Sequence, residues 1–242
     1  MERKPPAHHS RPLHETVAVV LQVRERRLQV LLWQRALAPF AGQWALPGGT
    51  LDQAETLEQS IRRHLAAKVD VRELSHLEQL ETRADPDAGR VTTAYLGLVR
   101  SGLDPTVPAD TCWHPVDALP VTAFDHGAFA VTGRDRLRAK LSYTNLGFAI
   151  APATFSISEL RELYAAALGH EVSATNLKRV LLRRGVLVAT GEHRAPGRAG
   201  GRPAEVYAFR SLELEITDQF AVLRPPPAPP TALGLASSRS LD

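Results

Sequence analysis

GGTLDQAETLEQSIRRHLAAKVDV, Gly48 to Val71, is the stretch whose reading decides the fold of this chain. Two glycines and a polar run lead into a segment with helical spacing. Thr56, followed three residues later by Gln59, forms a capping box and predicts a helix start at that point. Leu57, Ile61 and Leu65 recur every four residues and mark the face to be buried. His64, Ala67 and Lys68 stand at i, i+3 and i+4, which gathers them on an adjoining face.

Upstream of this helix, Thr16 to Val23 (TVAVVLQV) and Leu28 to Trp33 (LQVLLW) read as strands. The charged turn Arg24 to Arg27 joins them into a hairpin. Ala38 to Gly49 is a loop punctuated by Pro39, Gly42, Pro47, Gly48 and Gly49, whose glycines permit close approach of a ligand or of another segment. Downstream, Leu77 to Arg83 and Arg90 to Val99 are strands joined by the turn Asp85 to Gly89. Ser101 to Asp110 is a polar loop, and Cys112 to Pro115 is a short strand. Strands in this order around one helix suit a mixed sheet covered by helices.

A second organised block follows. Asp125 to Phe148 reads as helical, holds Arg134, Arg136, Arg138 and Lys140, and carries the chain into that block. Ser156 opens a helix with Leu160, Leu163, Tyr164 and Ala167 on its apolar face, and Gly169 ends it. Ser173 opens another, with Leu177, Val180 and Leu181 apolar, ended by Gly185. Val186 to Ala189 and Glu205 to Phe209 are strands flanking the basic, glycine-rich run GEHRAPGRAGGRP, Gly191 to Pro203. Helix, turn, helix and hairpin with a basic loop is the order of a winged helix-turn-helix. On that reading the second helix enters the major groove. Thr175 and Asn176 at its start reach base edges, while Lys178, Arg179 and Arg183 contact bases or phosphate. Arg194, Arg198 and Arg202 in the wing lie near phosphates. The competing reading is a small helical cap or dimerisation unit with a solvated basic face.

The charge distribution bears on that choice. Net charge is only +3 over 242 residues, but Arg134 to Arg210 holds 13 Lys or Arg against 6 Asp or Glu. An excess of that kind suits an acidic partner for the second half. With 44% hydrophobic and 23% charged residues the composition is that of a globular chain. No apolar run approaches the ~20 residues of a membrane span. The polar start has no apolar stretch for a signal peptide. Cys112 is the only cysteine, which excludes an internal disulfide or a multi-cysteine zinc site and fits a reducing cytoplasm.

The stretch Gly48 to Val71 resembles the Nudix box, G-x5-E-x7-R-E-U-x-E-E-x-G-U, with U aliphatic. Gly49, Glu55, Arg63, Leu65 and Val71 match in register, and the preceding run Gly42 to Gly49 matches as well. The family's three metal-binding glutamates fall on His64, Ala67 and Lys68, and its late glycine on Asp70. A hard divalent cation needs several oxygen ligands, which imidazole, methyl and ammonium groups do not supply. The residues therefore predict a Nudix-like scaffold with no catalytic residues, no metal and no cofactor.

The whole chain resembles the Nudix-related transcriptional regulators, the NrtR family. PFAGQWALPGG (Pro39 to Gly49), FSISELRELY (Phe155 to Tyr164) and GRPAEVYAF (Gly201 to Phe209) carry that resemblance. It implies an α/β fold, a Nudix-like α/β/α sandwich followed by a winged helix-turn-helix. The expected organisation is a flexible arm at 1–12, an effector-sensing domain at 13–132, a DNA-binding domain at 133–212 and a mostly disordered proline-rich tail at 213–242. It also implies a homodimeric repressor of NAD-biosynthesis genes that binds double-stranded operator DNA, with ADP-ribose or a related nucleotide as effector.

The candidate effector ligands are Arg35, Trp44, Gly48, Gly49, Arg63 and Lys68. The cations and the two glycine N–H groups are suited to a pyrophosphate. Alternatives stand beside these roles. Arg63 pairs with Glu55 to brace the loop, Lys68 is a solvated helix end, Trp44 fills the core instead of stacking on adenine, and His64 is a polar surface residue. The competing functions are an active Nudix pyrophosphohydrolase of ADP-ribose-like substrates and a nucleotide sensor that docks on protein.

Overall fold

A computed structural model of the chain describes residues 12–87, 89–195 and 203–218. Strands β1 (Leu13–Arg24) and β2 (Arg27–Gln34) form the expected hairpin, in register from Leu21 opposite Val30 to Arg24 opposite Arg27. Glu25 and Arg26 in its turn have φ of 49° and 61°, the backbone that two-residue hairpin loops need to match strand twist. The sheet is completed by β3 (Trp44–Ala45), β4 (Gly48–Thr50), β5 (His76–Asp85), β6 (Arg90–Leu98) and β7 (Thr111–Pro115). Its order is β3-β2-β1-β6-β5, with β4 also on β1 and β7 also on β2. β1 and β6 run parallel and the other pairs antiparallel, so the sheet is mixed, as the sequence predicts.

One feature of this topology makes the site. The distal half of β1 pairs with β2, whereas its start pairs with β4, from Glu15 opposite Thr50 to Val17 opposite Gly48. The start of β1 is thereby flanked by the glycine strand on one side and by β6 on the other, with Leu13 opposite Arg90.

Both faces of β1 are buried, which is why its sequence is a nearly unbroken apolar run. Side chains alternate between the faces with period two. Ala18 and Val20 pack with Ile61, Leu65 and Val69 of α1 (Leu57–Val69). Val17, Val19, Leu21 and Val23 pack with Phe129, Ala130, Leu137 and Leu141 of α2 (His126–Tyr143). The two helices cover the sheet as an α/β/α sandwich. Thr56 caps α1 with the full capping box read from the sequence. Asp70 ends it in the left-handed conformation at φ 50°, the backbone that explains a glycine at this place in the Nudix pattern.

The second block has β8 (Phe155–Ser156), α3 (Ile157–Leu168), α4 (Ala174–Arg183), β9 (Leu187–Arg194) and β10 (Ala204–Phe209). Its small sheet has the order β8-β10-β9. Ser156 and Glu159 make a second capping box at α3, and Gly169 closes that helix. β9 runs five residues beyond the expected Ala189, because His193 pairs with Glu205 and Arg194 with Ala204. The base of the predicted wing is therefore ladder, not loop.

The two blocks are closely joined, and one further expectation needs revision. α2 passes through 132 and 133 without interruption, and Gly133 packs directly on Val19 of the sheet. Its apolar face belongs to a core that continues through Leu146 and Phe148 to Phe155, Leu160 and Tyr164 of the winged helix. Residues 213–218, expected in a disordered tail, are strapped back. Asn145 receives the Glu215 N–H on Oδ1 and donates from Nδ2 to the Glu213 carbonyl, both at 2.7 Å. The Thr217 N–H donates to Tyr143. Side-chain amides can pair an extended segment in this way without a sheet. The arm before residue 12 and the proline-rich run Arg224 to Pro230 lie outside the described residues.

Candidate functional site

The divergence of β1 from β2 leaves a groove with a volume of ≈ 580 Å³ at the start of β1. Arg35, Arg63, Lys68 and Arg90 line it as cations, against Glu15 and Asp52 as acids. Trp33, Phe124 and Leu46 supply apolar wall. Such a cluster suits an anionic ligand with a flat ring.

Each charge is set by its neighbours. Lys68 projects from the end of α1, and its Nζ donates to the Gly48 carbonyl at 2.6 Å. The same ammonium lies 4.6 Å from the centroid of Trp33. Burial pushes the Lys68 pKa down, Arg35 and Arg63 push it further, and Glu15 opposes them. Lys68 is therefore a packed, directed group and not a solvated helix end. Arg63 Nε donates to Glu55 at 2.9 Å, its Nη2 also reaches Glu55, and Asp52 stands at 3.2 Å. The hydrogen bond from Arg63 holds the Glu55 carboxyl at about 2. The bracing role expected for this pair is real, and it leaves Arg63 on the rim of the groove.

Gly48 and Gly49 belong to β4, where they pair with Val17 and Thr16. A Cβ on Gly48 would meet the Thr16 carbonyl at 2.1 Å, and one on Gly49 would meet the His64 ring at 2.6 Å. The glycines are thus required by close packing between β1, β4 and α1. His64, expected on the surface, is buried beneath Gly49, with Nε2 3.0 Å from the Thr50 carbonyl. Burial lowers its pKa, and the hydrogen bond to the Thr50 carbonyl opposes that shift.

The donor set does not fit a hard divalent cation. At the three box positions stand a buried imidazole, an exposed alanine and an ammonium bonded to a backbone oxygen.

Trp44 does not line the groove. It packs edge-on against His114, with ring centroids 4.4 Å apart, and against the sheet core. Its role is the core-filling one, and Trp33 takes the aromatic place in the groove. Arg35 lies 4.9 Å from the Phe124 centroid and donates to the Pro39 carbonyl. Arg90, Phe124 and His126 escaped the sequence reading. Arg90 is brought in by parallel pairing of β6 with β1, a long-range event that no local motif announces. His126 accepts the Leu46 N–H on Nδ1 at 2.9 Å, and burial lowers its pKa to about 4. The ring is thus neutral at physiological pH, with its proton on Nε2.

On the second block, Thr175, Asn176, Arg179 and Arg183 are exposed along one stripe of α4, while Leu177 and Leu181 are buried on the other side. Arg179 donates to the Asn176 side-chain oxygen at 2.7 Å, so two of the expected base-reading groups are already oriented together. Lys178 departs from expectation. Its ammonium pairs with Glu205 at 3.2 Å and lies over the Tyr207 ring, which ties α4 to β10. Arg194 departs too, since its guanidinium grips both oxygens of Glu159 and the Thr154 carbonyl. Both cations hold the winged helix together because the longer ladder of β9 and β10 brings them beside these acids. Arg198 and Arg202 lie outside the described residues.

These two sites can be set beside known proteins. The NUDIX domain model matches residues 12–132, and the model of the NrtR DNA-binding winged helix domain matches residues 147–209. The chain belongs to the NrtR family. An NrtR-family relative from Acinetobacter baylyi, named ADPR responsive transcriptional repressor NtrR, is 30% identical over 211 residues, 82% of each chain. The crystal structure of Shewanella oneidensis NrtR is 31% identical with a TM-score of 0.68, covering 82% of this chain and 94% of that one. NrtR of the same organism complexed with a 27mer DNA has a TM-score of 0.66 at 31% identity, covering 81% of this chain and 93% of that one. The two family models together span the groove and the exposed α4 stripe.

Proposed function

We propose that this chain is a transcriptional repressor that binds operator DNA through its winged helix and is released by ADP-ribose held in the groove of its Nudix domain. The observation that supports this reading best is a pairing of features. The resemblance to a repressor responsive to ADPR covers both domains, and the groove is lined by four cations and lacks the carboxylates that a hydrolase of this fold has at positions 64, 67 and 68. The pyrophosphate of ADP-ribose lies against Lys68 and Arg35, with Arg90 beside it, and an aromatic base lies against Trp33 or Phe124. Thr175, Asn176, Arg179 and Arg183 face the major groove of DNA. Residues 13–132 form the sensing unit and 133–212 the DNA-binding unit, with α2 shared between them. The protein acts as a homodimer on two half-sites and controls genes of NAD biosynthesis.

On this reading the protein senses ADP-ribose without consuming it. Incubation with ADP-ribose and magnesium, followed by chromatography, is expected to release no AMP. Turnover at the usual enzyme scale of ~1 per second or more would instead make it a pyrophosphohydrolase.

A further inference from the structure

A second cavity, of ≈ 400 Å³, lies between the Nudix sheet and the winged helix. It shares no lining residue with the effector groove. The two stand at opposite ends of β1: Val17 lines the groove, and Arg26 of the β1–β2 turn lines the cleft. Nine residues of strand at ~3.3 Å each separate them by roughly 30 Å.

The walls of the cleft come from three elements. Arg26 and Arg27 come from the hairpin, Arg134 and Arg138 from consecutive turns of α2, and Arg161 from α3. Against these five guanidinium groups the lining has three carboxylates, Asp117, Glu162 and Glu171. Glu162 is shared by Arg26 at 3.1 Å and Arg161 at 3.5 Å, and Glu171 takes Arg161 at 3.3 Å. Arg27 and Arg138 have no carboxylate within ion-pair distance among the described residues. Arg138 spends only its Nε, on the Ala167 carbonyl at 3.1 Å, which leaves two N–H-bearing nitrogens. Like charges gathered in a partly enclosed space repel, and guanidinium forks match phosphate oxygens two at a time. Leu28 and Val116, both buried, with Ala165 and Ala166 give the cleft an apolar floor.

We propose that this cleft is a second ligand site, separate from the effector groove, which takes a small molecule bearing two or more linked phosphates. The ligand bridges the hairpin, α2 and α3, and so fixes the winged helix against the Nudix sheet. It also competes with Glu162 for Arg26, the ion pair that now spans the two domains.

The test is calorimetric titration of inorganic pyrophosphate into the full chain carrying Lys68→Glu, which weakens the effector groove as a competing anion site. Binding is expected, and Arg27→Glu with Arg134→Glu should weaken it at least about tenfold, ~1.4 kcal/mol. Glu162→Gln, which frees Arg26 without adding bulk, should tighten it severalfold. The gain is read on a variant that loses only the two surface pairs of Glu162, with Arg26 and Arg161, so it decides the matter even if the double arginine variant fails to fold. ADP titrated in the same way separates the two sources of such a group. Tighter binding than pyrophosphate at the same arginines identifies a nucleotide seated on the apolar floor, and weaker binding identifies the free inorganic anion. No binding to the Lys68→Glu protein, or affinity indifferent to both the arginine and the Glu162 changes, would overturn the proposal.

Discussion

Lys68 is the one cation among the three residues, His64, Ala67 and Lys68, that stand where the Nudix box has its metal-binding glutamates. Its ammonium is half-buried, bonded to the Gly48 carbonyl and surrounded by Arg35 and Arg63. Lys68→Glu should lower ADP-ribose affinity by at least about tenfold, ~1.4 kcal/mol, while operator affinity in a gel shift stays unchanged. A loss of DNA binding in the absence of ligand would show that Lys68 serves the fold instead. Asp70 makes a second residue-scale case. Its left-handed backbone is tolerated by Asp and Gly but costs a β-branched residue roughly 1–2 kcal/mol. Asp70→Val should therefore lower the melting temperature, and Asp70→Gly should not. An equal loss in both would mean that the Asp70 carboxylate, bonded to Arg72, matters more than its backbone. Neither residue was opaque in the sequence, since the register of the box had marked both. His64 was misread there as a surface group, because its burial depends on Gly49 crossing above it.

Among the elements, β5 and α2 are joined by a charge cluster. Burial on its own would raise the Glu78 pKa, but hydrogen bonds from His76 and Lys140 outweigh it and hold the carboxyl at about 2. A carboxyl lowered in the folded state binds protons more readily when unfolded. Its stabilising effect is full above the ordinary value of 4.5 and disappears as pH falls toward 2. Thermal unfolding followed from pH 5 to about pH 2 should thus show a fall that Glu78→Gln flattens. The same fall in the variant would assign it to other carboxylates. In the winged helix, Arg179 and Arg194 should separate in DNA-binding assays. Arg179→Ala is expected to cost roughly 1–3 kcal/mol of operator binding and to relax specificity at one base. Arg194→Ala is expected to act through stability, lowering the melting temperature by releasing Glu159 from β9. If Arg194→Ala changed only the salt dependence of binding, it would be a phosphate contact after all. Helix starts and the capping box at Thr56 were legible because they depend on residues three apart. The length of β9 was not, because glycine-rich composition resembles loop until a partner strand holds it.

At the scale of the molecule, the groove and the α4 stripe lie in different halves of one continuous core. α2 packs on the Nudix sheet, and from its end at Tyr143 the buried 3-10 turn Leu146–Ala149 and the short connection before Phe155 carry the same core into the winged helix. Arg184 at the end of α4 donates to the Ser142 carbonyl at the end of α2 and to Asp218 of the C-terminal strap. A shift of α2 is therefore a shift of the recognition helix. A mixed sheet covered by helices and the helix order of the winged helix could be read from the residues, and the resemblance implied the sandwich, but their fusion into one core was not legible, since apolar faces do not announce their partners. For ADP-ribose to release DNA it must bind the DNA-free arrangement better than the DNA-bound one. Binding free energies are reciprocal, so a ligand that weakens operator binding about tenfold is itself weakened about tenfold by operator. The direct measurement is calorimetry of ADP-ribose binding to the protein with and without saturating operator DNA from its own upstream region. The expected result is weaker ADP-ribose binding in the presence of operator, by the same factor that ADP-ribose weakens the DNA complex. Equal affinity in the two titrations would contradict the account, because a ligand that does not distinguish the two states cannot be the effector.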